Sequence, residues 1–591
     1  MDGTFSIFNI LSLLGGLALF LFGMDFMGDG LKKLAGGKLE SILARLTSNR
    51  FKGFLLGFIV TAVIQSSSAT TVMLVGFVNS GIMTLGQTIS VIMGANIGTT
   101  VTSWLLSLTG INGATVFLKL LKPESFTPIL AVIGVVMTMM SNSDSKKNIG
   151  SILLGFAILM FGMESMSDAV SVLRDNEAFK NILTMFSNPI MGILVGTIFT
   201  AIIQSSSASI GILQALALSC VIPHSTALPV LLGMNIGTTI TPIISAISGN
   251  TESRRVAFSC LYIKMIGVVI VTSIFYLIFY TTSLLDAFMA SPASVFSIAL
   301  YHTLFNILST IILIPFCTPL EKLAIKTIKG KKGDEEVDIF GTLDDRFLAI
   351  PSFATEKCRE LVCDMAKIAQ KGYLLAVQLL NEFDEKKYKD VAKYEKLVDK
   401  YEDKTSAYLV KLAASDISAK DGKLVTELLH CIGDIERISD HTVNIADAAK
   451  EMHEKDIVFS KKAQKDIGII TAAATEVLGL AVSAMLTGNI DIAKEVEPLE
   501  QVIDRLKRKI KSGHISRLQK GECTMELGFI LSDLLTNYER ISDHCSNIAV
   551  NLIEIANDEF EAHEYFKTIK NHNDEVFDAK YEDYKQKYAL D

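Results

Sequence analysis

The sequence predicts an all-α protein, with a polytopic membrane domain of two inverted repeats followed by two soluble three-helix bundles. Three observations lead to this fold class. Long apolar runs recur from Phe5 to Pro315, one polar motif occurs twice within them, and a charged, helix-forming sequence follows from about Asp334. A membrane-spanning helix needs about 20 apolar residues, and several runs are that long. We therefore expect a membrane domain at 1–330, a linker at 331–349, a helical domain at 350–560 and a charged end at 561–591.

The charge balance changes at the same place. Residues 1–333 hold 20 Lys and Arg against 13 Asp and Glu, a net of +7. The remainder holds 35 basic and 50 acidic residues, a net of −15 (55 − 20 and 63 − 13). An acidic tail argues against nucleic acid as a partner, because phosphate backbones need a basic face.

The membrane part is a duplication. Gln65-Ser66-Ser67-Ser68-Ala69 recurs as Gln204-Ser205-Ser206-Ser207-Ala208, an offset of 139 residues. The same offset carries the GANIGTT segment at 94–100 onto GMNIGTT at 233–239, and Phe22-Gly23-Met24 onto Phe161-Gly162-Met163. One gapless register of this length indicates two copies of one unit, which we place at about 5–142 and 149–283.

Each copy contains polar interruptions within apolar stretches. Ser, Thr, Asn and Gln are costly in lipid unless they line a protein cavity. We therefore predict re-entrant hairpins at 51–80 and 190–219, with QSSS near their tips, and broken helices at 84–109 and 223–249.

The loop charges predict the orientation. The other crossings are placed at 5–27, 127–142, 149–167, 256–283 and 295–316. With these seven crossings, most Lys and Arg residues fall on one side, which should be cytoplasmic. The N-terminus is then outside, the tail is inside, and the second repeat is inverted relative to the first. Inverted repeats with paired interruptions are the arrangement of many secondary transporters.

The repeated motifs consist of hydroxyls, amides and glycines, without a charged side chain. Such groups donate to anion oxygens or coordinate a hard cation, and helix ends at a break would add backbone N–H groups. An anion held without a fixed positive charge would need co-bound cations, so coupling to Na⁺ is a physical hypothesis. The alternatives are close helix packing by small residues and a catalytic serine, for which no base lies nearby in sequence.

The paired QSSS motifs resemble those of the type II sodium-dependent phosphate cotransporter family, in its bacterial form with a cytoplasmic tail. The resemblance covers about 5–320 and implies inorganic phosphate as substrate and Na⁺ as coupling ion. It implies a phosphate site formed by Gln65, Ser66, Ser67, Ser68, Gln204, Ser205, Ser206 and Ser207. The residues expected to line the cavity or bind Na⁺ are Thr70, Thr71, Asn96, Thr99, Thr100, Ser209, Asn235, Thr238 and Thr239. After the motif, Ala69-Thr70-Thr71 becomes Ala208-Ser209-Ile210, so the two halves are not expected to bind identical ions.

Three further sets of polar residues lie within the apolar segments. Lys264 stands about two turns into its span, and we expect it to extend to the cytoplasmic face. His302 and Asn306, one helical turn apart, serve either a packing hydrogen bond or the cavity. Asp25 and Glu164 hold equivalent repeat positions and are expected to face water.

The tail is also duplicated. Six helices are expected at about 352–383, 386–414, 420–452, 459–487, 491–518 and 524–557. The motif E-R-I-S-D-H at 436–441 recurs at 539–544, an offset of 103. Glu and Asp four residues apart share a helix face, and further pairs at Glu395/Asp399 and Glu500/Asp504 could complete carboxylate clusters. These clusters either bind metal or form a solvated face paired with Arg437 and Arg540.

The tail resembles the PhoU phosphate-regulatory family over about 345–560. The resemblance implies that the tail regulates transport, and that Glu436, Asp440, Glu539 and Asp543 bind a divalent or trivalent metal. His441 and His544 depart from a pure carboxylate set and are candidate additional ligands.

The sequence thus predicts a sodium-coupled carrier of inorganic phosphate in the cytoplasmic (inner) membrane, working by alternating access, and not an enzyme. A phosphate sensor without net transport and a carrier of another oxyanion, such as sulfate or a dicarboxylate, remain alternatives. Membrane lipid surrounds the chain. A second copy of the chain and phosphate-signalling proteins that act through the tail are partners the sequence leaves open, as is the direction of transport.

Overall fold

The structure is a computed structural model. It describes residues 6–35, 49–110, 123–141, 143–176, 185–219, 222–247, 249–282, 285–330, 339–349, 351–415, 417–557 and 575–590. These residues are nearly all helical, and no β-strand occurs among them, which confirms the predicted fold class. The chain divides into two compact units, Met1–Phe347 and Leu348–Asp591. Several predicted features lie outside the described residues: the loop charges Lys38, Arg45, Lys119, Lys122 and Lys180, and segments 331–338 and 558–574.

The first unit contains the apolar helices. They are α1 Ile7–Ala35, α2 Arg50–Ile64, α3 Ser67–Asn79, α4 Leu85–Gly98, α5 Thr100–Ser107, α6 Pro123–Met140, α7 Asp144–Ser171, α8 Pro189–Ile203, α9 Ser206–Ser219, α10 His224–Gly237, α11 Ile240–Ala246, α12 Thr251–Thr281, α13 Val295–Leu313 and α14 Cys317–Thr327. A short helix, Asp286–Ala290, precedes α13, and single 3₁₀ turns follow α5, α7 and α13.

Length and composition give seven candidate membrane spans among the described helices, six of them in this unit. The six correspond to predicted crossings, whereas the apolar part of α6, Ser125–Met140, is shorter than the other spans. The seventh, Lys461–Thr487, lies in the tail unit. It carries Lys461, Lys462 and Lys465 in its first turns and a buried Asp466, which fits a helix inside a soluble bundle.

Helices α1 and α7 establish that the repeats are inverted. They are equivalent, because the 139-residue offset relates Phe22-Gly23-Met24 to Phe161-Gly162-Met163. They also pack against each other through glycines: a Cβ on Gly16 would lie 2.9 Å from the carbonyl oxygen of Gly162, and one on Gly23 would lie 2.7 Å from that of Gly155. Residue numbers rise along α1 as they fall along α7, so the equivalent helices are antiparallel.

Each repeat builds the same pair of elements. Helices α2 and α3 form the first hairpin, and α8 and α9 form the second, each turning at its QSSS motif. Helix α2 packs against α4 as α8 packs against α10, and the close contacts occur at equivalent glycines. Gly94 faces the backbone oxygen of Phe54, and its copy Gly233 faces that of Ile193. The predicted hairpins at 51–80 and 190–219 are therefore confirmed in position and form.

The two repeats interlock. Helix α3 of the first hairpin packs against α11 of the second repeat, and α9 of the second hairpin packs against α5 of the first. Helix α12 completes the first contact and α13 the second, since α12 packs on α3 and α11 while α13 packs on α5 and α9. The polar motifs of one repeat are thereby placed beside those of the other.

Residues 339–349, the C-terminal part of the predicted linker, pack onto the membrane unit up to the boundary at Phe347; we call this segment the strap. Two 3₁₀ turns, Ile339–Thr342 and Asp345–Ala349, shape it. The ring of Phe347 is fully buried, 5.5 Å from the ring of Phe77, and covers Gly76, where a Cβ would lie 2.8 Å from the ring. Only a glycine leaves room for that ring.

The strap also makes polar contacts. Asn79, the last residue of α3, donates to Asp344 at 2.9 Å, and Arg346 forms an ion pair with Asp344. Arg346 also donates to the backbone oxygen of Ser245 in α11 at 3.3 Å. The strap therefore contacts both a hairpin of the first repeat and a helix of the second.

The tail unit begins at Leu348. Its helices are α15 Pro351–Leu379, α16 Glu385–Ala413, α17 Ala419–Glu454, α18 Lys461–Thr487, α19 Val496–Gln519, α20 Met525–Asn557 and α21 Glu575–Lys587, with a short helix Ile490–Ala493 before α19. The first six agree with the six predicted helices to within a few residues. Helices α15, α16 and α17 pack together, as do α18, α19 and α20, with α17 against α20 between the bundles.

A reciprocal contact marks the duplication of the tail. His441 Nδ1 lies 2.9 Å from Asn537 Oδ1, and His544 Nδ1 lies 2.8 Å from Asp434 Oδ1. Asp434 and Asn537 are equivalent at the same 103-residue offset as the two histidines, whose rings stack at 5.9 Å. The histidines therefore join the two bundles.

The charged end predicted at 561–591 contains helix α21, which packs onto the tail bundle. Helix α21 packs against α19, with Tyr584 and Lys580 bonded to Glu495. Tyr588 and Lys587 bond to Glu476 of α18. The tyrosines that stand among charged residues in α21 therefore pack onto the helical bundle.

Glu427, buried in α17, makes stability depend on pH. Burial raises its pKa from 4.5 to about 7, with Arg359 opposing the shift. A raised carboxyl pKa means that the folded state holds a proton that the unfolded state releases, so stability falls as pH rises from about 4.5 to 7 and then levels off. We expect Glu427→Gln to stabilise the tail above pH 7 by on the order of 3 kcal/mol and to flatten this slope.

Hydrogen exchange of α17 peptides in the full-length protein between pH 5 and 8 measures this effect. Glu360→Gln, an exposed carboxylate that pairs with Lys357, is the matched control. An unchanged slope in Glu427→Gln would contradict the assignment.

Candidate functional site

Both QSSS motifs begin with a strained backbone. Gln65 has φ 59° and ψ 20°, and Gln204 has φ 59° and ψ 15°, which is the left-handed region. Each closes its helix through its backbone N–H, to Thr61 at 2.8 Å and to Thr200 at 2.7 Å. Glycine is the usual residue at such a helix end, because a side chain costs free energy there. A glutamine at both positions indicates that its side chain is required.

The serines that follow start the second helix of each hairpin. Ser66 Oγ accepts from Ala69 N at 3.2 Å, and Ser205 Oγ accepts from Ala208 N at 3.2 Å. The first backbone N–H groups of α3 and α9, which have no partner within their helix, therefore lie at the hairpin tips. These N–H groups and the positive helix end favour an anion.

The two glutamines differ in their surroundings. Gln65 is buried, and its Oε1 accepts from Thr102 Oγ1 at 2.7 Å. Gln204 is exposed, and its backbone oxygen accepts from Thr241 Oγ1 at 3.4 Å. Thr102 and Thr241 are equivalent at the 139-residue offset. Sequence reasoning did not select them, although their recurrence at that offset would have indicated them.

The expected broken helices are found, with helix ends at Gly98 and Gly237, but the backbone at each break remains right-handed helical. Thr99 interrupts α4 and α5 with φ −62° and ψ −26°, and Thr238 and Thr239 interrupt α10 and α11 with similar angles, all right-handed helical. The hydroxyls bond to carbonyls three or four residues earlier, Thr99 to Ala95 at 3.0 Å and Thr238 to Asn235 at 2.7 Å. These hydroxyl bonds alter the regular hydrogen-bonding pattern of the helix, but the backbone does not unwind. Free backbone N–H groups are therefore offered by the hairpin tips.

Hydroxyls and amides fill the space around the motifs. Thr61 and Thr70 hydroxyls lie 3.0 Å apart, Thr71 donates to Ser67 O at 2.8 Å, and Ser209 donates to Ser205 O at 2.9 Å. Of the other site residues predicted from the sequence, five are buried and three are half-buried. The buried ones are Ser206, Ser207, Thr100, Asn235 and Thr239, and the others are Ser68, Asn96 and Ser205.

Gln214 adds a polar group that the sequence did not single out. It is fully buried, and its Nε2 donates to Ser103 O at 3.1 Å and to Val295 O at 3.0 Å. Among the described residues, its Oε1 has no hydrogen-bond partner. A buried oxygen without a donor is available to a cation, and the equivalent residue in the first repeat is Val75.

Lys264 corrects a further expectation. It does not extend to a membrane face: it is 8% exposed, and its ammonium group donates to the hydroxyl of Thr238 in the second NIGTT segment. Burial follows because α12 packs between α3, α11 and α13. The motifs therefore have a positive charge beside them after all, which their own composition did not reveal.

The other selected membrane residues have definite places. His302 Nδ1 lies 3.0 Å from Ser103 Oγ, and Asn306 Nδ2 donates to His302 O at 2.8 Å. His302 therefore belongs to the polar centre, and Asn306 to packing along α13. Asp25 and Glu164 are exposed.

The tail brings carboxylates together in two matched triads. Glu395, Asp399 and Asp440 place oxygens within 4.8 Å of one another, and so do Glu500, Asp504 and Asp543. Burial and neighbouring carboxylates raise the pKa of Glu500 to about 9 and raise that of Asp543. Two like clusters that repel internally are suited to a cation.

Of the tail residues predicted to bind metal, some lie in the triads and others do not. Asp440 and Asp543 belong to them, with Arg437 and Arg540 at 3.6 and 3.5 Å. Glu436 lies beside Asp440, with its pKa raised to about 7 by burial and then by Asp440, whereas Glu539 pairs with Lys507. His441 and His544 bond across the bundle interface, outside both triads.

Two copies of a hairpin and a helix, inverted and interlocked around a polar centre, define a multi-pass membrane transporter. Family comparisons agree on both halves. The Na⁺/Pi-cotransporter family model matches residues 19–168 and 158–291, and the PhoU domain model matches residues 362–449 and 470–552. The membrane part of the chain thus matches the Na⁺/Pi-cotransporter family model, and the tail matches the PhoU domain model twice.

Individual relatives show the same division. The chain is 21% identical over 558 residues to the putative inorganic phosphate export protein YjbB of Escherichia coli (strain K12), covering 92% of this chain and 98% of that one. It is 28% identical over 323 residues to the uncharacterized protein YqeW of Bacillus subtilis (strain 168), covering 54% and 99%. It is 37% identical over 99 residues to sodium-dependent phosphate transport protein 2A of Rattus norvegicus, covering 16% and 15%.

One solved structure, PhoU from Pseudomonas aeruginosa, aligns with a TM-score of 0.33 and 20% identity, covering 34% of this chain and 97% of that one.

Proposed function

We propose that the protein transports inorganic phosphate across the membrane with Na⁺ as the coupling ion, by alternating access to a site between the two QSSS motifs. The observation that carries the proposal is the pair of left-handed glutamines, each followed by a helix start that offers unpaired N–H groups. The family match and the named relatives support phosphate as the anion. Inversion of the two copies supports alternating access, because inverted repeats can exchange conformations about one central site.

The chemistry of the site fits both ions. Backbone N–H groups at Ser66–Ser68 and Ser205–Ser207, with the glutamine amides, supply donors for phosphate oxygens. The oxygens of Thr, Asn and Gln around them supply ligands for a hard cation. Gln204 is exposed while Gln65 is buried, which is the asymmetry expected when one hairpin is closed and the other accessible. Transport in either direction follows the ion gradients.

Substrate identity is tested by competition. The purified protein is placed in liposomes, and uptake of radiolabelled phosphate is measured with a tenfold excess of unlabelled phosphate, sulfate or a dicarboxylate outside. We expect only phosphate to compete strongly. Stronger competition by sulfate or by the dicarboxylate would identify that anion as the substrate in place of phosphate. The proposed binding site would remain the same.

The tail is proposed to regulate transport through the strap. The triads hold metal in the tail, and the strap, which leads directly into it, contacts α3 of the first repeat and α11 of the second. Substitutions in the metal site should therefore change the phosphate flux only while the strap is packed against the membrane unit. Asp440→Asn with Asp543→Asn is expected to change the phosphate flux of the wild-type chain but not that of Phe347→Ala.

Phe20→Ala is the control for the lost ring, since the Phe20 ring is equally buried and also covers a hairpin glycine, Gly211 of α9, but lies outside the strap. The tail variants should keep their effect in that background. Equal effects of the tail variants with and without Phe347 would exclude the strap as the connection.

A further inference from the structure

We propose that Lys264 is the fixed positive charge that holds the transported anion, and so determines both anion affinity and the demand for Na⁺. This inference rests on the proposed function. The motifs alone contain no charged side chain, and the site residues selected from the sequence do not include Lys264.

The position of Lys264 links both repeats. Its ammonium donates to Thr238 in the second NIGTT segment. One turn earlier on α12, Cys260 lies against the hydroxyl of Thr71, which in turn donates to Ser67 O in the first QSSS motif at 2.8 Å. Lys264 therefore stands on a helix that contacts both the first hairpin and the second irregular segment.

The charge of Lys264 has no protein counter-charge. Among the residues that the structure describes, no carboxylate lies within ion-pair distance of its ammonium group. The titratable groups that face it are the Cys260 thiol on its own helix and the His302 imidazole on α13. A buried ammonium without a partner is strongly unfavourable. A bound anion is the simplest group that would remove this cost.

The ammonium also has donors to spare. It carries three N–H groups, of which Thr238 accepts one. The Thr238 hydroxyl donates a hydrogen bond to Asn235 O at 2.7 Å. Its oxygen therefore accepts from Lys264 in a fixed orientation. The remaining donors are free for anion oxygens.

His302 occupies the matching place on the other side. Helix α13 packs on α5 and α9 as α12 packs on α11 and α3, and His302 bonds to Ser103 where Lys264 bonds to Thr238. One side of the centre thus carries a lysine amino group and the other an imidazole ring. Since phosphate carries more than one negative charge near neutral pH, Lys264 offsets part of that charge and Na⁺ the rest.

The test separates charge from hydrogen bonding. Phosphate flux in liposomes is measured against phosphate and Na⁺ concentration for wild type, Lys264→Arg and Lys264→Gln. Arginine keeps the charge, whereas glutamine keeps a donor of similar reach without charge. We expect Lys264→Gln to weaken apparent phosphate affinity about 30-fold or more and to require more Na⁺, and Lys264→Arg to restore most of the affinity.

A second readout does not need transport: phosphate should raise the melting temperature of the detergent-solubilised wild type and Lys264→Arg, but not of Lys264→Gln. Lys32→Gln, which removes an exposed lysine paired with Asp29, is the matched control. Wild-type behaviour of Lys264→Gln in both measurements would overturn the inference. Absence of phosphate flux in the wild type itself would instead overturn the proposed function.

Discussion

Replacing Gln65 or Gln204 by glycine is expected to lower phosphate transport about 10- to 100-fold without weakening the fold. Glycine adopts the left-handed backbone of these positions more easily than glutamine does, so the hairpin turn remains. What is lost is an amide that can donate to the anion or accept from the cation, and a hydrogen bond to a charged group contributes about 1.5–3 kcal/mol. Initial phosphate uptake and the melting temperature of each variant measure the two effects.

Glycine is a sharper substitution than alanine here. Alanine removes the amide and keeps the backbone strain, so a loss of transport would have two causes. Asp456, the third described non-glycine residue with positive φ, lies in the tail, and Asp456→Gly is the control for relief of strain alone. Full activity of Gln65→Gly and Gln204→Gly would show that the glutamines serve the turn and not the ions.

Loss of bound metal from the tail is the second large effect expected. Asp440→Asn should empty the triad with Glu395 and Asp399, and Asp543→Asn should empty the triad with Glu500 and Asp504. A carboxamide offers one neutral oxygen in place of a charged carboxylate, which a metal site built from three carboxylates does not tolerate well. After incubation of the full-length protein with Mn²⁺, Fe³⁺ or Zn²⁺ and desalting, each single variant should retain about half of the wild-type metal and the double variant almost none.

Asp583→Asn, an exposed carboxylate of α21, is the control and should retain all of the metal. Equal metal content in wild type and the double variant would mean that the triads are solvated acidic faces. Thermal stability adds an independent readout, because metal that binds only the folded tail raises its melting temperature.

The duplications were what the sequence could reveal most directly. A 139-residue offset fixed the hairpins and the irregular segments, and a 103-residue offset fixed the tail bundles, since both are visible as matched letters. Helix boundaries followed from apolar runs and caps. Inversion was predicted from loop charges, some of which lie outside the described residues, and the antiparallel packing of α1 and α7 now establishes it independently.

The misses share a physical origin. The left-handed backbone at Gln65 cannot be read from a residue type that rarely adopts it. The NIGTT breaks were predicted from polar residues within apolar runs, but not that the backbone there stays right-handed while the threonine hydroxyls bond back to the helix. Lys264, Gln214 and Thr102 join the centre through contacts with residues distant in sequence. Such contacts leave no local pattern, and only the recurrence of Thr102 at Thr241 marks one of them in the sequence. Helix α21 likewise docks through aromatics that its charged composition conceals.

The most direct test of sodium-coupled phosphate transport is whether a Na⁺ gradient makes liposomes accumulate phosphate. Liposomes containing the purified protein are loaded with equal phosphate inside and outside, and an inward gradient of either Na⁺ or K⁺ is applied at clamped membrane potential. We predict that the Na⁺ gradient drives phosphate accumulation above the outside concentration, and that the K⁺ gradient does not. Equal phosphate levels inside and outside under both gradients would contradict the account.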